Sequence, residues 1–408
     1  MRVAYFSPLP PERSGVADYS ALLLPTLEKR LDVSVVRRGA KKAPRGTDVC
    51  LYHVGNNPEA HAWIVDALGQ RSGMVVLHDF VLHHLVAGMT LGRGNPGGYL
   101  DAMQHDSGVV GRLLAHGVVD RLLPPIWEER AQDFPLTCVV LDRADGVICH
   151  SRYVEQKVRD YGYAGSTWVI PMPAWPSVEL GARQVPEGRF PVIACVGYLN
   201  AAKRIPQLLD AFGRLCERFP DALLVLAGSA APDVRLEDEA LEGVLRLDYR
   251  EERDLWQLLA DSDVNVSLRS PTMGETSGMA IRALSLGKPL VVSDVGWFAE
   301  LSDDVAAKVP VDEHEVETLT AVLERLAEDD DLRVRMGAAA AEYAREEHGL
   351  DRVADLYVAA LEEGGGGIVV RDSVLREVAR AAQEVGIDKN DPQLGDVAQR
   401  AREVGLGN

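Results

Sequence analysis

Ser267-Leu-Arg-Ser-Pro-Thr-Met-Gly-Glu-Thr-Ser-Gly-Met-Ala-Ile-Arg-Ala-Leu-Ser-Leu-Gly-Lys-Pro-Leu-Val-Val-Ser-Asp-Val-Gly296 decides how the chain folds. The run from Asp263 to Leu268 is β-branched and predicts a strand. Pro271, Gly274 and Gly278 punctuate the loop that follows. Met279 to Leu286 suits a helix, Gly287-Lys288-Pro289 stops it, and Leu290 to Val292 is a second strand. A helix that opens on a glycine loop leaves its first N–H groups unpaired, so Ser277, Gly278 and Met279 offer an anion site. Glu275 sits inside that loop. A carboxylate beside a phosphate cradle makes sense when the ligand also carries hydroxyls, and a sugar nucleotide carries both.

The same alternation extends outward in both directions. In the first half, Val3–Phe6, Val33–Val36, Asp48–Val54, Met74–Leu77, Gly146–Cys149 and Thr167–Ile170 read as strands, with helices over Val16–Arg30, Pro58–Arg71 and from Arg152. Residues 85–140 interrupt it with a mostly helical insert. Pro171 to Pro191 is proline-rich and aperiodic, which marks a linker. The pattern then restarts at Val192–Val196 and runs through the opening motif to helices over Glu313–Ala327, Leu332–His348 and Asp351–Leu361. Strands alternating with helices predict parallel, doubly wound sheets. The expected fold is therefore α/β, with two Rossmann-like domains facing a cleft and a C-terminal helical tail. The expected boundaries are 1–175 (acceptor side), 186–345 (nucleotide-sugar side), a closing helix at 346–363, and a tail at 364–408. In that tail Gly364–Gly367 reads as a flexible joint and Arg371–Glu384 as an amphipathic helix.

Composition narrows the classes of function. At 408 residues the chain suits two domains plus an appendage. The net charge is −19, yet residues 1–175 are neutral with 18 basic and 18 acidic side chains, so the excess lies almost wholly in residues 176–363. An acidic second half argues against a nucleic-acid partner. No apolar run is long enough to span a bilayer, and the chain opens on a strand, not a charged-then-apolar leader. The five cysteines lie in apolar strand or helix contexts without metal-like spacing. Reduced core cysteines and a cytoplasmic location are the expectation.

Glu275, the short helix ending Arg-Ala-Leu-Ser-Leu-Gly-Lys-Pro and the following Val-Val-Ser-Asp-Val-Gly together resemble the donor-binding signature of retaining glycosyltransferases of family four, which are two-domain GT-B enzymes. The resemblance covers roughly residues 1–361. It departs at Arg282, where the family carries a second Glu that holds the ribose hydroxyls, and the spacing from Glu275 is one residue short. The resemblance implies a nucleoside-diphosphate sugar donor, UDP- or GDP-linked, with no cofactor and no metal. On the turn after Val196 the family places an Arg and a Lys against the diphosphate. Lys203 falls at the Lys position, Tyr198 replaces the Arg, Arg204 stands next in line to supply that charge, and Asn200 can donate a hydrogen bond. The glycine loop of the first strand corresponds to Ser7–Tyr19, with Gly15 near the donor phosphates. The family histidine that contacts the sugar corresponds to His78, beside Asp79.

Each of these residues also has a plainer reading. A Rossmann strand ends in a turn like the one around Gly15 whether or not it binds phosphate, and Asn56 and Asn57 before Pro58 make an ordinary turn. His78, His83 and His84 lack zinc-site spacing. Asp248-Tyr249-Arg250 is a candidate base-edge contact, with Arg269 near the same site, while Trp127, Trp175 and Trp297 read first as packing residues. The reading that absorbs most residues is a hexosyltransferase-like enzyme with Glu275, His78 and Lys203 at its chemical centre. Its rivals are an epimerase or inverting transferase on the same fold, or a non-catalytic sugar-nucleotide-binding homologue. The acceptor is not legible, and self-association through the tail is a further expectation.

Overall fold

A computed structural model describes residues 1–12, 14–40, 42–176, 178–231 and 242–384; for 368–379 and 381–384 it describes the backbone alone. The chain divides into two compact units. The first holds Met1–His150, Val154–Ile170 and the chain from Ala354 onward; the second holds Ser151–Tyr153 and Pro171–Val353.

The first unit runs β1 (Arg2–Phe6), α1 (Gly15–Leu27), β2 (Asp32–Val35), β3 (Val49–Val54), α2 (Pro58–Leu68), β4 (Gly73–Leu77), α3 (His83–Thr90), α4 (Pro96–Val119), α5 (Ile126–Glu129), α6 (Cys138–Leu141), β5 (Ala144–Cys149), α7 (Arg152–Asp160) and β6 (Ser166–Val169). Its six strands are all parallel, in the order β2-β1-β3-β4-β5-β6. β3 and β4 are buried along their whole length, which is why they read as unbroken apolar runs. The insert expected at 85–140 is α3 to α6, and it has its own small core around Tyr99, Met103, Ala115 and Phe134.

The second unit runs β7 (Val192–Val196), α8 (Ile205–Cys216), β8 (Leu223–Ala227), β9 (Val244–Leu247), α9 (Glu252–Asp261), β10 (Val264–Ser267), α10 (Gly278–Ser285), β11 (Leu290–Ser293), β12 (Ala306–Val309), α11 (Glu315–Glu328) and α12 (Asp330–Glu347), and α13 (Leu350–Glu384) follows. Its sheet is again six parallel strands, in the order β12-β11-β10-β7-β8-β9. The order reverses between β7 and β10. In an open α/β sheet that reversal opens a crevice above the carboxyl ends of the two strands, where ligands bind. On the other side of β7, the turns after β7 and β8 touch: a Cβ on Gly228 (φ +134°) would lie 2.0 Å from the Gly197 carbonyl oxygen, so this position needs glycine.

The C-terminal segment departs from its sequence reading. Gly364–Gly367 is not a joint between helices but the middle of α13, which runs unbroken from Leu350 to Glu384. The boundary expected at 363 therefore falls inside one element, and the helix belongs to the first unit from Ala354 on. The physical reason is close packing. A Cβ on Gly364 would meet Met74 Sδ at 2.7 Å and the Trp168 ring at 3.3 Å, and Trp168 Nε1 donates to Glu363 at 2.9 Å. Tyr357 and Leu361 are buried on the same face, and Tyr357 shares a 2.6 Å hydroxyl–hydroxyl hydrogen bond with Tyr19 of α1. Tertiary contact thus overrides the helix-weakening tendency of glycine. Residues 385–408 of the expected tail lie outside the described residues.

Candidate functional site

The crevice of the second unit is built from two turns. After β7 the chain makes a short turn, Ala201–Lys203, then passes through Arg204 in the left-handed region (φ 56°) into α8. That turn folds Lys203 back over its own strand. Its side chain is buried, 4% exposed, and its ammonium donates to the Val196 carbonyl at 2.9 Å. A Cβ on Gly197 would stand 3.5 Å from that ammonium and 3.4 Å from Met279, so Lys203 and the first turn of α10 close on the same glycine. Burial pushes the Lys203 pKa down and Arg269 adds to the fall, while Cys195 and Glu275 oppose it.

The second turn, Ser270–Ser277, holds Glu275 firmly. One carboxylate oxygen accepts from Met273 N at 2.7 Å and from the Thr272 hydroxyl at 3.1 Å; the other accepts from Arg269 Nε at 3.1 Å. Arg269 leaves the end of β10 with its own backbone N–H given to Ser293 Oγ of β11, 2.9 Å away. Ser277 is the N-cap of α10, accepting from Ala280 N at 3.2 Å, which leaves the Gly278 and Met279 N–H groups at the open end of the helix. Lys203, Arg269, Glu275 and the start of α10 thus meet above β7 and β10, the two strands that flank the reversal.

Two residues expected in this site are engaged elsewhere. Arg204 reaches away from it and grips Glu315, the first residue of α11, through Nε and Nη2. Glu315 is almost completely buried and needs a cation, so Arg204 serves the joint between α8 and α11, and its expected place beside Lys203 in the crevice is not what the structure shows. Arg282 is 3% exposed. It makes two hydrogen bonds to Glu252 of α9 at 3.0 and 3.2 Å and stacks at 3.9 Å over the Trp175 ring. Glu252 also accepts from Trp256 Nε1 at 2.8 Å. The position that carries a Glu in the resembling family is here part of a closed ion-pair and stacking cluster, and Trp175 lies against Gly278 as well.

The remaining candidates divide. Tyr198 is 55% exposed, and Tyr249 is exposed too. Among the described residues the buried Asn200 Oδ1 and Arg250 Nε have no hydrogen-bond partner, so both keep capacity for a ligand. In the first unit Gly15 begins α1 behind the Ser14 cap, in open space and without positive φ. His78 stands at the end of β4 with Nε2 3.1 Å from His53 Nδ1, in a ring cluster with Tyr19 and His150. Burial, then the neighbouring histidines, drives the pKa of His53 and His78 far below the ordinary value, so both rings are neutral. Asp79 accepts from Asn56 N at 2.7 Å, while Asn57 caps α2 by accepting from Glu59 N at 2.9 Å. His83 bonds to the Tyr99 hydroxyl at 2.8 Å inside the insert's core. Among the described residues no three His, Cys, Asp or Glu side chains are grouped as a metal site requires. No described helix is long and apolar enough to cross a membrane.

Two contributors escaped the sequence reading. The grip of Thr272 and Met273 on Glu275 depends on loop curvature that no spacing reveals. Glu315 lies 111 residues from Arg204, beyond any local signal. Arg269 carried one signal, a cation at a strand's carboxyl end just before the glycine loop.

With this geometry in place, comparison with known proteins is direct. Residues 181–343 match the family model described as Glycosyl transferases group 1. Over that segment the chain is similar to group 1 glycosyl transferases. D-inositol 3-phosphate glycosyltransferase of Corynebacterium aurimucosum is 30% identical over 167 residues, 38% of this chain and 39% of the relative. The enzyme of the same name from Corynebacterium glutamicum is 28% identical over 166 residues, 38% of this chain and 39% of the relative. The chain thus spans about two fifths of the length of the curated relatives it matches. Among solved structures, sucrose-phosphate synthase from Thermosynechococcus elongatus has TM-score 0.59 at 16% identity, over 89% of this chain and 98% of that one. Anabaena HepE, solved with UDP and glucose, has TM-score 0.57 at 15% identity, over 89% and 100%. At such identities the likeness is one of fold: two Rossmann-like units in succession, as in GT-B glycosyltransferases. Within the matched segment the three charged side chains Lys203, Arg269 and Glu275 occupy the crevice at the strand reversal.

Proposed function

We propose that this chain is a glycosyltransferase that takes a sugar from a nucleoside-diphosphate donor and passes it, with retention, to an acceptor hydroxyl. The observation that carries the reading is the meeting of buried Lys203 with loop-held Glu275 at the open end of α10, inside the segment similar to group 1 glycosyl transferases. Cleaving the bond between sugar and diphosphate builds negative charge on the leaving phosphate and positive charge on the sugar. Lys203 and the Gly278 and Met279 N–H groups answer the first charge. Glu275 answers the sugar, through its hydroxyls and through the field of a fixed carboxylate. The neutral His78 ring, at the end of β4 in the first unit, is suited to a sugar hydroxyl as hydrogen-bond donor or acceptor. The leaving phosphate itself takes the acceptor proton, so no protein base is required.

Solved proteins of like fold hold UDP and glucose, which favours a UDP-linked donor among those to try first. The test is to incubate the chain with UDP- and GDP-linked hexoses and follow nucleoside diphosphate release, with Lys203→Ala in parallel. Release by the natural chain that Lys203→Ala loses supports the reading. No release from any donor, with or without alcohol and sugar acceptors, overturns it. NMR of the product's anomeric configuration separates retention from the inverting alternative.

A further inference from the structure

The phosphate site has only one cation by the reading above, because Arg204 is committed to Glu315. A second cation stands within it. Arg269 is largely covered, leaves the carboxyl end of β10 and lies on Glu275. It is close enough to Lys203 to oppose that residue's charge. Among the described residues Glu275 has three polar contacts, and only the one to Arg269 is an ion pair; Thr272 and Met273 N hold the other oxygen independently.

We propose that Arg269 is the second cation of the phosphate subsite, parked on Glu275 in the free protein and drawn off by a diphosphate, which frees one Glu275 oxygen for the donor sugar. A diphosphate carries more charge than a carboxylate and presents oxygens that the guanidinium fork fits. Glu275 does not lose its place when Arg269 departs, since the Thr272 and Met273 contacts remain. The exchange links the two halves of the donor: the phosphate end must bind before the sugar end finds a free carboxylate oxygen. A nucleoside monophosphate, with less charge and shorter reach, does not drive it. This inference rests on the donor reading of the site and adds a coupling to it.

Titration calorimetry with UDP, GDP, UMP and GMP on the full chain tests it. The natural chain should bind at least one diphosphate more tightly than its monophosphate. Arg269→Gln should lose about tenfold or more in diphosphate affinity and change little toward the monophosphate. Glu275→Gln removes the competitor for Arg269 and should bind the diphosphate a few-fold more tightly. The double variant should match Arg269→Gln alone. Unchanged diphosphate affinity in Arg269→Gln, or weaker affinity in Glu275→Gln, overturns the proposal while leaving the donor reading standing. Failure of the natural chain to bind either diphosphate removes the donor reading and this exchange with it. If Arg269→Gln does not fold, the sign of the Glu275→Gln effect still decides.

Discussion

Arg204 holds Glu315 with Nε and Nη2 together, and the pair ties the turn after β7 to the first residue of α11. Glu315 is 3% exposed and the Arg204 side chain 26%, so the carboxylate depends on its partner far more than the guanidinium does. Removing one member strands a buried charge. Arg204→Ala should destabilise the chain by roughly 3 kcal/mol, read by urea unfolding. Arg204→Leu combined with Glu315→Leu should recover much of that loss. If Arg204→Ala instead leaves stability intact and weakens diphosphate binding, Arg204 belongs to the ligand site after all.

Lys203 is expected to show its role through pH. Its pKa is lowered from the ordinary 10.5, first by burial and then by Arg269. On the proposed reading that its charge holds a diphosphate, affinity should therefore be lost as pH rises through a value below 10.5, earlier than for an exposed lysine. In the same window the unfolded chain binds the extra proton, so stability of the free protein should rise with pH while affinity falls. Lys203→Arg, permanently charged, should flatten the affinity profile. Lys203→Ala should lower affinity by about tenfold to a hundredfold. A titration curve that is flat to pH 10.5 in the natural chain would remove the argument.

Glu275→Gln keeps the shape of the side chain and its contacts to Thr272 and Met273. On the proposed reading, in which the carboxylate charge acts on the sugar as the bond breaks, turnover should fall steeply while diphosphate affinity does not fall. Parallel losses in nucleotide affinity and turnover would mean that Glu275 holds the nucleoside instead.

The histidine cluster of the first unit predicts acid sensitivity. His61 is buried, donates through Nδ1 to the His53 carbonyl 3.1 Å away, and burial pushes its pKa from 6.5 down to about 4. Between those values the unfolded chain takes up a proton that the folded chain refuses, so stability falls as pH drops from 6.5 to 4. His61 alone contributes on the order of 3 kcal/mol to that fall, and His53 and His78 extend it further down. Unfolding free energies measured across this range should slope less steeply in His61→Gln. An identical slope would show that His61 is not the group that titrates.

The glycines of α13 separate into two kinds. Gly364 lies against Met74 and Trp168, whereas a Cβ on Gly366 or Gly367 would meet nothing within 4 Å. Gly366→Ala and Gly367→Ala should each stabilise the chain by up to about 1 kcal/mol, and Gly364→Leu should cost roughly 1–3 kcal/mol by overpacking. Thermal melts of the three variants give the comparison. Equal effects at all three positions would contradict the packing.

What the sequence by itself determined is the succession of elements and the likeness to group 1 glycosyl transferases. Apolar runs such as Val49–Val54 and Met74–Leu77 are buried on both faces, so their composition already specifies parallel strands. The glycine loop around Glu275 and the helix that follows it are legible through local rules alone, and both form. What only the tertiary structure decided is which charges remain available there. Arg204 and Lys203 are neighbours in sequence, yet one turns to Glu315 and the other to Val196, because a left-handed residue at 204 sends the side chains apart. Arg282 is claimed by Glu252, thirty residues away, and by Trp175. Gly364–Gly367 reads locally as a break, and becomes helix only because a sheet surface at Met74 and Trp168 lies close enough to need the missing side chain. Pairing and close approach depend on residues far apart in the chain, and local pattern carries no information about them.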